Sequence, residues 1–294
     1  MVKTLCLWLI TLSYWHITNA QAEARLAIII DDIGYNKVQS ERTARLKGAF
    51  TLAVLPFTPH GLSSAHLAHN QGKELMLHLP MSALNNQPLG RGGLISGMGK
   101  AKFQHIISQD LASIPHIKGV NNHMGSRLTQ EAEPMQWLME ELRPRGLYFV
   151  DSRTSAQTKA FDIAKLQQVS SLKRDVFLDD SDDPQAIEKA LKRAIQLARE
   201  RGAAVAIGHP YPATLDLLER IEPLLKKQNV TLVYASQLLL PITKITSLKN
   251  TSIEPKDDDT PFCPVPLESM PLKLETEVDL YDRLGIMPKQ LFGY

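Results

Sequence analysis

Short, almost wholly apolar runs alternate with longer amphipathic ones through most of this chain, and that alternation restricts its fold more than any other feature. The first run, Leu26-Ala27-Ile28-Ile29-Ile30, meets no polar residue until Asp31, as expected of a strand covered on both faces. Further strands are expected at Phe50–Leu55, Glu74–Leu79, Gly119–His123, Tyr148–Asp151, Val176–Leu178, Ala203–Gly208 and Thr231–Ala235. Helical stretches separate most of them. Gln130–Arg143 carries Met135, Leu138, Met139 and Leu142 at helical spacing, and Ala213–Lys227 follows Pro212. Asp183–Arg201 opens on an Asp cap with Pro184 at the first helical position and stops before Gly202. Strand–helix–strand units of this length pair their strands in parallel through right-handed crossovers. About eight strands in roughly 215 residues predict an α/β fold, a deformed (β/α) barrel of about seven or eight parallel strands.

The two ends of the chain are of another character. Residues 1–22 read as an export signal: Lys3 near the start, a mostly apolar Leu5 to Ile17, then small residues for cleavage after Ala20 or Ala22. The apolar run is shorter than the roughly 20 residues a bilayer crossing needs, and no later stretch reads as transmembrane. Export is therefore expected, with no membrane span after cleavage. Residues 241–294 carry repeated prolines, the acidic run Asp257-Asp258-Asp259 and no sustained apolar period, so an extended or disordered tail is expected. The folded domain is thus placed at 23–240.

Charge and cysteine content exclude other classes. With 33 Lys+Arg against 31 Asp+Glu, nothing favours a nucleic-acid partner. Cys6 and Cys263 cannot make a disulfide framework or a cysteine zinc site, and signal cleavage would leave Cys263 alone.

The ionisable residues gather at strand ends. Asp31 and Asp32 end the first expected strand, His78 lies at the end of the third, and His123 ends the fourth. Asp151 ends the fifth and His209 the seventh. In a parallel α/β fold the carboxyl ends of the strands share one face, where active sites form. A lone strand-end Asp is most often a helix cap and a lone His a structural residue. Six such residues at equivalent ends instead suggest one cleft, in which His and Asp together suit zinc and a metal-assisted hydrolytic centre.

At these residues the chain resembles the polysaccharide deacetylases, in their divergent branch of bacterial envelope proteins. The resemblance covers about Leu26 to Leu240. It rests on Ile-Ile-Ile-Asp31-Asp32-Ile-Gly, Leu-His78-Leu-Pro-Met, Asn-Asn-His123-Met-Gly-Ser, Tyr-Phe-Val-Asp151-Ser-Arg, Arg174-Asp175-Val-Phe-Leu-Asp179 and Ile-Gly-His209-Pro, in that order. It implies a deformed barrel, a divalent metal (usually zinc) and removal of acetyl groups from N-acetylated sugars, with a glycan as partner. Carried across, Asp31 matches the catalytic base, Asp32 the metal-binding carboxylate and His209 the general acid. The family's usual second motif has two His four residues apart, but here Ser82 stands four beyond His78. The third ligand beside Asp32 and His78 is then His123 or His209, with His123 preferred. Asp151, Arg153, Arg127 and Asp175 are expected to support the site. Asp151 would orient a His or Arg, and Arg127, Arg153 or the amides near Met124-Gly125 would stabilise an oxyanion. The missing second His also admits an alternative, a non-catalytic periplasmic glycan-binding or adaptor protein on the same barrel.

Other residues are expected to lie outside the chemistry. His66 and His69 read as a solvated helix face, Gly90-Arg91-Gly92-Gly93 as a flexible lid or linker, and the acidic run Asp179 to Asp183 as helix capping and solvation.

Overall fold

The computed structural model describes residues 23–240; the expected export signal and the expected tail both lie outside the described residues. Nine strands and eight helices run in the order β1 (Ala24–Ile33), α1 (Lys37–Ala44), β2 (Thr51–Val54), α2 (Gly61–Asn70), β3 (Glu74–Met81), α3 (Lys100–Ser113), β4 (Ile117–Met124), α4 (Ala132–Leu142), β5 (Tyr148–Asp151), α5 (Ala160–Leu166), β6 (Ser171–Lys173), β7 (Val176–Phe177), α6 (Pro184–Arg201), β8 (Ala203–Gly208), α7 (Pro212–Leu218), α8 (Ile221–Lys227) and β9 (Val230–Val233). All pairings are parallel, in the order β6-β5-β4-β3-β2-β1-β8-β7, with β9 also on β1. The two ends of that path, β6 and β7, are neighbours in sequence, so the sheet curls back on itself as the expected deformed barrel.

The strands alternate strictly between two cores, as the two-residue period of a strand requires. Leu26, Ile28, Ile30, Leu75, Leu77 and Phe149 face outward and pack with helix residues such as Phe103, Leu138, Leu191 and Ala198. Ala27, Ile29, Met76, Tyr148, Val150, Val205 and Ile207 face inward and pack together. This parity decides which strand-end residues reach the cleft. Continuing inward from these residues, β1 presents Asp31, β3 presents His78 and β8 leads to His209.

Two expected elements differ from the structure. The stretch Ala213–Lys227 is two helices, because Pro223 lacks an amide hydrogen and its ring crowds the carbonyl four residues back, at Glu219. Strand β6 had no sequence signal, since its three residues are half-buried or exposed and carry no apolar run. The expected cap of α6 is present: Asp183 accepts from the amides of Gln185 and Ala186, and Gly202 closes the helix at φ 83°.

The lower end of the barrel is closed by the turn Ala235–Leu239, tied down by Glu74. Glu74 Oε1 accepts from Thr51 Oγ1 (3.0 Å), Tyr148 Oη (2.9 Å) and the Ser236 amide (3.1 Å), and Oε2 accepts from Ser236 Oγ. Removing this carboxylate strands several buried donors. Glu74→Ala should therefore lose about 2–4 kcal/mol of stability, read as a lower urea midpoint at unchanged slope. An unchanged midpoint would show that the turn seals the barrel without Glu74.

Candidate active site

Two adjacent residues of an extended strand point to opposite faces, so Asp31 and Asp32 need a local distortion to share a cleft. The structure supplies it at Asp32 itself, which has φ 58°. The β1–β2 register steps from Ile30↔Leu52 to Ile33↔Val54, which leaves one extra residue on β1. This β-bulge keeps Asp31 inward, swings Asp32 into the same space and returns Ile33 to the outer core. The distortion thus falls at Asp32, two residues before Gly34.

Around the bulge, Asp32, His78 and His123 converge. Asp32 Oδ1 lies 2.9 Å from His123 Nδ1 and 3.1 Å from His78 Nε2, and the two ring nitrogens are 3.1 Å apart. These three are the group of candidate metal ligands among the described residues. Asp32 Oδ1 is buried and left with these two ring nitrogens as its polar partners. A buried carboxylate oxygen left in this way, beside two ring nitrogens, fits a divalent cation. The triangle's edges are close to the roughly 3.3 Å separating ligand atoms around a tetrahedral zinc. Of the two residues considered for the third place, His123 stands in the triangle. His209 stands beside it, with Nε2 3.9 Å from Asp32 Oδ2.

Asp31 and His209 flank this triangle. Asp31 Oδ2 is 3.7 Å from His78 Nε2. His209 Nδ1 pairs with Asp179 Oδ1 at 2.9 Å, while Asp179 Oδ2 accepts from the His209 amide and from Thr214 Oγ1, both at 2.7 Å. Phe177 and Tyr211 lie against the His209 ring, with centroids 6.2 and 5.4 Å away. All five site residues and Asp179 are buried.

Burial and charge drive these groups apart. Burial raises Asp31, against the pull of His78 and His209, which makes it a better proton acceptor. Burial opposes ionisation of Asp32 too, but His123 and His78 outweigh it and hold Asp32 well below the usual carboxylate range. His123 is lowered by burial despite Asp32, whereas Asp31 and Asp32 raise His78 against its burial. Burial would also lower His209, but Asp179, with Asp32 and Asp31 behind it, pushes it up to about 10. One stronger base and one firmly protonated acid thus face the same ligand cluster.

Of the other expected supporting residues, Asp151, Asp175 and Arg127 hold partners outside the ligand triangle. Tyr148 and Val150 take the inward positions of β5, so Asp151 faces the helices. Its Oδ1 accepts from the Arg153 amide at 2.8 Å, and its Oδ2 from Thr158 Oγ1 at 2.9 Å and the Phe161 amide at 3.3 Å. Asp175 lies toward the other end of β8, on the Val205 amide (2.9 Å) and Arg201 (3.2 Å). Arg127 reaches the carbonyls of Ala83 and Leu84 and the Asn86 side chain. Arg153 sits at φ 50°, with its carbonyl taken by Arg174. The Gly125 amide donates to Met81 O at 3.0 Å.

Asp179 and Asn121 also belong to the cluster: Asp179, expected to be a solvated capping residue, is buried against His209, and Asn121 carried no expected role. Asp179 was hidden in an acidic run; the signal was its position just after Val176-Phe177-Leu178, the same strand-end rule that singled out the others. His66 and His69 lie on the exposed face of α2. His69 stacks on His116 at 3.8 Å and 5°, so the in-plane lone pairs of the two rings run parallel and do not converge. In the Gly90–Gly93 segment, a Cβ on Gly92 would lie 2.3 Å from Asp110 Oδ1, so only glycine fits there. Asp110 is itself fully buried with both oxygens unpartnered, and burial pushes it up to about 8.

Residues 28–239 match the model of a family described as divergent polysaccharide deacetylase. The chain is 40% identical to the uncharacterized protein YibQ of Escherichia coli (strain K12) over 238 residues, covering 81% of this chain and 74% of that one. It is 36% identical over 198 residues to an uncharacterized protein of Haemophilus influenzae (strain ATCC 51907 / DSM 11121 / KW20 / Rd), covering 67% and 71%. The same fold occurs in the crystal structure of the uncharacterized protein ATU2773 from Agrobacterium tumefaciens C58. That match has a TM-score of 0.71 and 22% identity, and covers 74% of this chain and 90% of that one. Among the described residues no helix is long and apolar enough to cross a membrane.

Proposed function

This chain belongs to the divergent polysaccharide deacetylase family, and from that membership we propose that it is a metal-dependent hydrolase. Its reaction is removal of N-acetyl groups from an envelope glycan such as peptidoglycan. The observation that carries the reading is the pair Asp31 and His209 on either side of the Asp32–His78–His123 triangle. Binding a glycan needs neither a base nor an acid.

Asp32, His78 and His123 would hold the cation, with zinc the best match to their chemistry. When bound, such an ion lowers the pKa of water and polarises an acyl carbonyl. Asp31, raised by burial, accepts the proton of the attacking water. His209 keeps its Nδ1 on Asp179, so Nε2 is the nitrogen turned toward the cleft, and from there a proton passes to the departing amine. The C–N bond breaks, and the acetyl group leaves as acetate. Export, read from residues 1–22, would bring the protein to its polymer.

The test is acetate release from N-acetylglucosamine oligomers and peptidoglycan fragments in the presence of zinc. The wild-type protein should release acetate, and Asp31→Asn should lower kcat by about 10²–10⁴ while keeping its metal. Equal release from Asp31→Asn would remove Asp31 as base. No release from any acetylated glycan would leave the binding-protein alternative.

A further inference from the structure

Asn121 lies inside the site but belongs to neither the ligand triangle nor the acid–base pair. It is fully buried on β4, level with His78 in the β3–β4 register. Its side-chain oxygen is 2.7 Å from His78 Nδ1, and its side-chain nitrogen donates to Asp31 Oδ1, also at 2.7 Å. Chemistry dictates which end is which. Turned over, the amide would set its oxygen against the Asp31 carboxylate, two acceptors with no proton between them. With the oxygen on His78, Nδ1 must carry the proton. A neutral imidazole has a single N–H, so Nε2 is left bare. Nε2 is the atom that faces Asp32 Oδ1 and His123.

We propose that Asn121 is a positioning residue for both halves of the site. Its oxygen selects the His78 tautomer able to hold a cation, and its amide nitrogen orients Asp31 apart from the ligand triangle. Only an amide offers an acceptor and a donor at two corners of one short side chain: a carboxylate accepts at both, and a hydroxyl cannot span the two partners. The His78 half rests on geometry alone, whereas the Asp31 half rests on the hydrolase reading.

The experiment combines ¹⁵N NMR of the histidine rings in zinc-loaded protein with zinc affinity and acetate release, for wild type, Asn121→Leu and Asn121→Asp. In the wild type, His78 should show a protonated Nδ1 with a slowly exchanging hydrogen. Asn121→Leu should lose that signal and bind zinc about 10–100-fold more weakly. Asn121→Asp keeps an acceptor for His78 but sets a second buried acid against Asp31 in place of the amide donor, and two such acids in contact share a proton. It should therefore hold zinc affinity within about threefold and lose acetate release at least about tenfold. A bare Nδ1 in the wild type, or wild-type zinc affinity in Asn121→Leu, overturns the His78 half. Wild-type release by Asn121→Asp overturns the Asp31 half. Should Asn121→Leu not fold, the wild-type ring signals and Asn121→Asp decide without it. If the wild type releases no acetate at all, the hydrolase reading and the Asp31 half fall together, while the NMR and affinity results still decide the His78 half.

Discussion

In His78→Ala, bound zinc should fall from about one equivalent per chain to well below it, with affinity reduced by at least about 100-fold. Changing even the partners of metal ligands costs 10–100-fold, and here a ligand itself is lost. The geometry adds a second penalty. His78 Nε2 stands 3.1 Å from Asp32 Oδ1 and 3.7 Å from Asp31 Oδ2, so it lies between two buried carboxylates. Without it, the metal-free site meets the repulsion of two adjacent acids with one fewer partner, and one of them takes up a proton. Binding zinc must then displace that proton, which steepens the pH dependence of affinity. Metal content after exhaustive dialysis and a calorimetric titration at two pH values measure both effects. A full equivalent of tightly held zinc in His78→Ala would remove the ligand triangle and, with it, the proposed chemistry.

Asp179→Asn should act on the other side of the cleft. Asp179 contributes most to the charged state of His209, whose folded value of about 10 lies far above the ordinary value near 6.5. A general acid works only while protonated, so loss of the Asp179 charge should move the alkaline limb of kcat/KM to lower pH. Activity at pH 8 should fall by about 10²–10³, with much of it recovered in more acidic buffer. His209→Ala should show a similar loss at pH 8 without that recovery. Because the two residues act as a unit, the double variant should be no worse than His209→Ala alone. Stability follows the same linkage. A histidine raised on folding contributes stability that is fully present below about 6.5 and lost as pH rises through about 10. Urea midpoints of Asp179→Asn should therefore lose that decline with pH. An unmoved alkaline limb would mean that His209 is not the acid.

How much of the site could be read from the sequence depended on parity. Strand ends could be located from apolar runs, and residues two apart share a face. Shared strand ends are why Asp31, His78, His123 and His209 were read together, and shared parity is why the structure finds them around one point. The same alternation turns Asp151 away, because Tyr148 and Val150 hold the inward positions of β5. A strand-end carboxylate read without its parity is therefore ambiguous between cleft and helix side. Asp32 breaks the rule in the opposite direction, since it enters the cleft only through an extra residue in β1. Asp179 was obscured by four polar neighbours whose composition suggested a solvated cap. The cap proved to be Asp183, and Asp179 points inward to His209.

By itself the chain determined its architecture: eight of the nine strands among the described residues, parallel pairing, and the placement of its imidazoles and carboxylates on one rim. Those follow from apolar periodicity and from the single handedness available to crossovers, both local and repetitive enough to survive as pattern. Only the folded molecule decided the bulge at Asp32, the choice of His123 for the triangle, and the bridges made by Asn121 and Asp179. Each of these depends on a register between strands far apart in sequence, and register is set by how whole surfaces pack, which no single stretch of residues encodes.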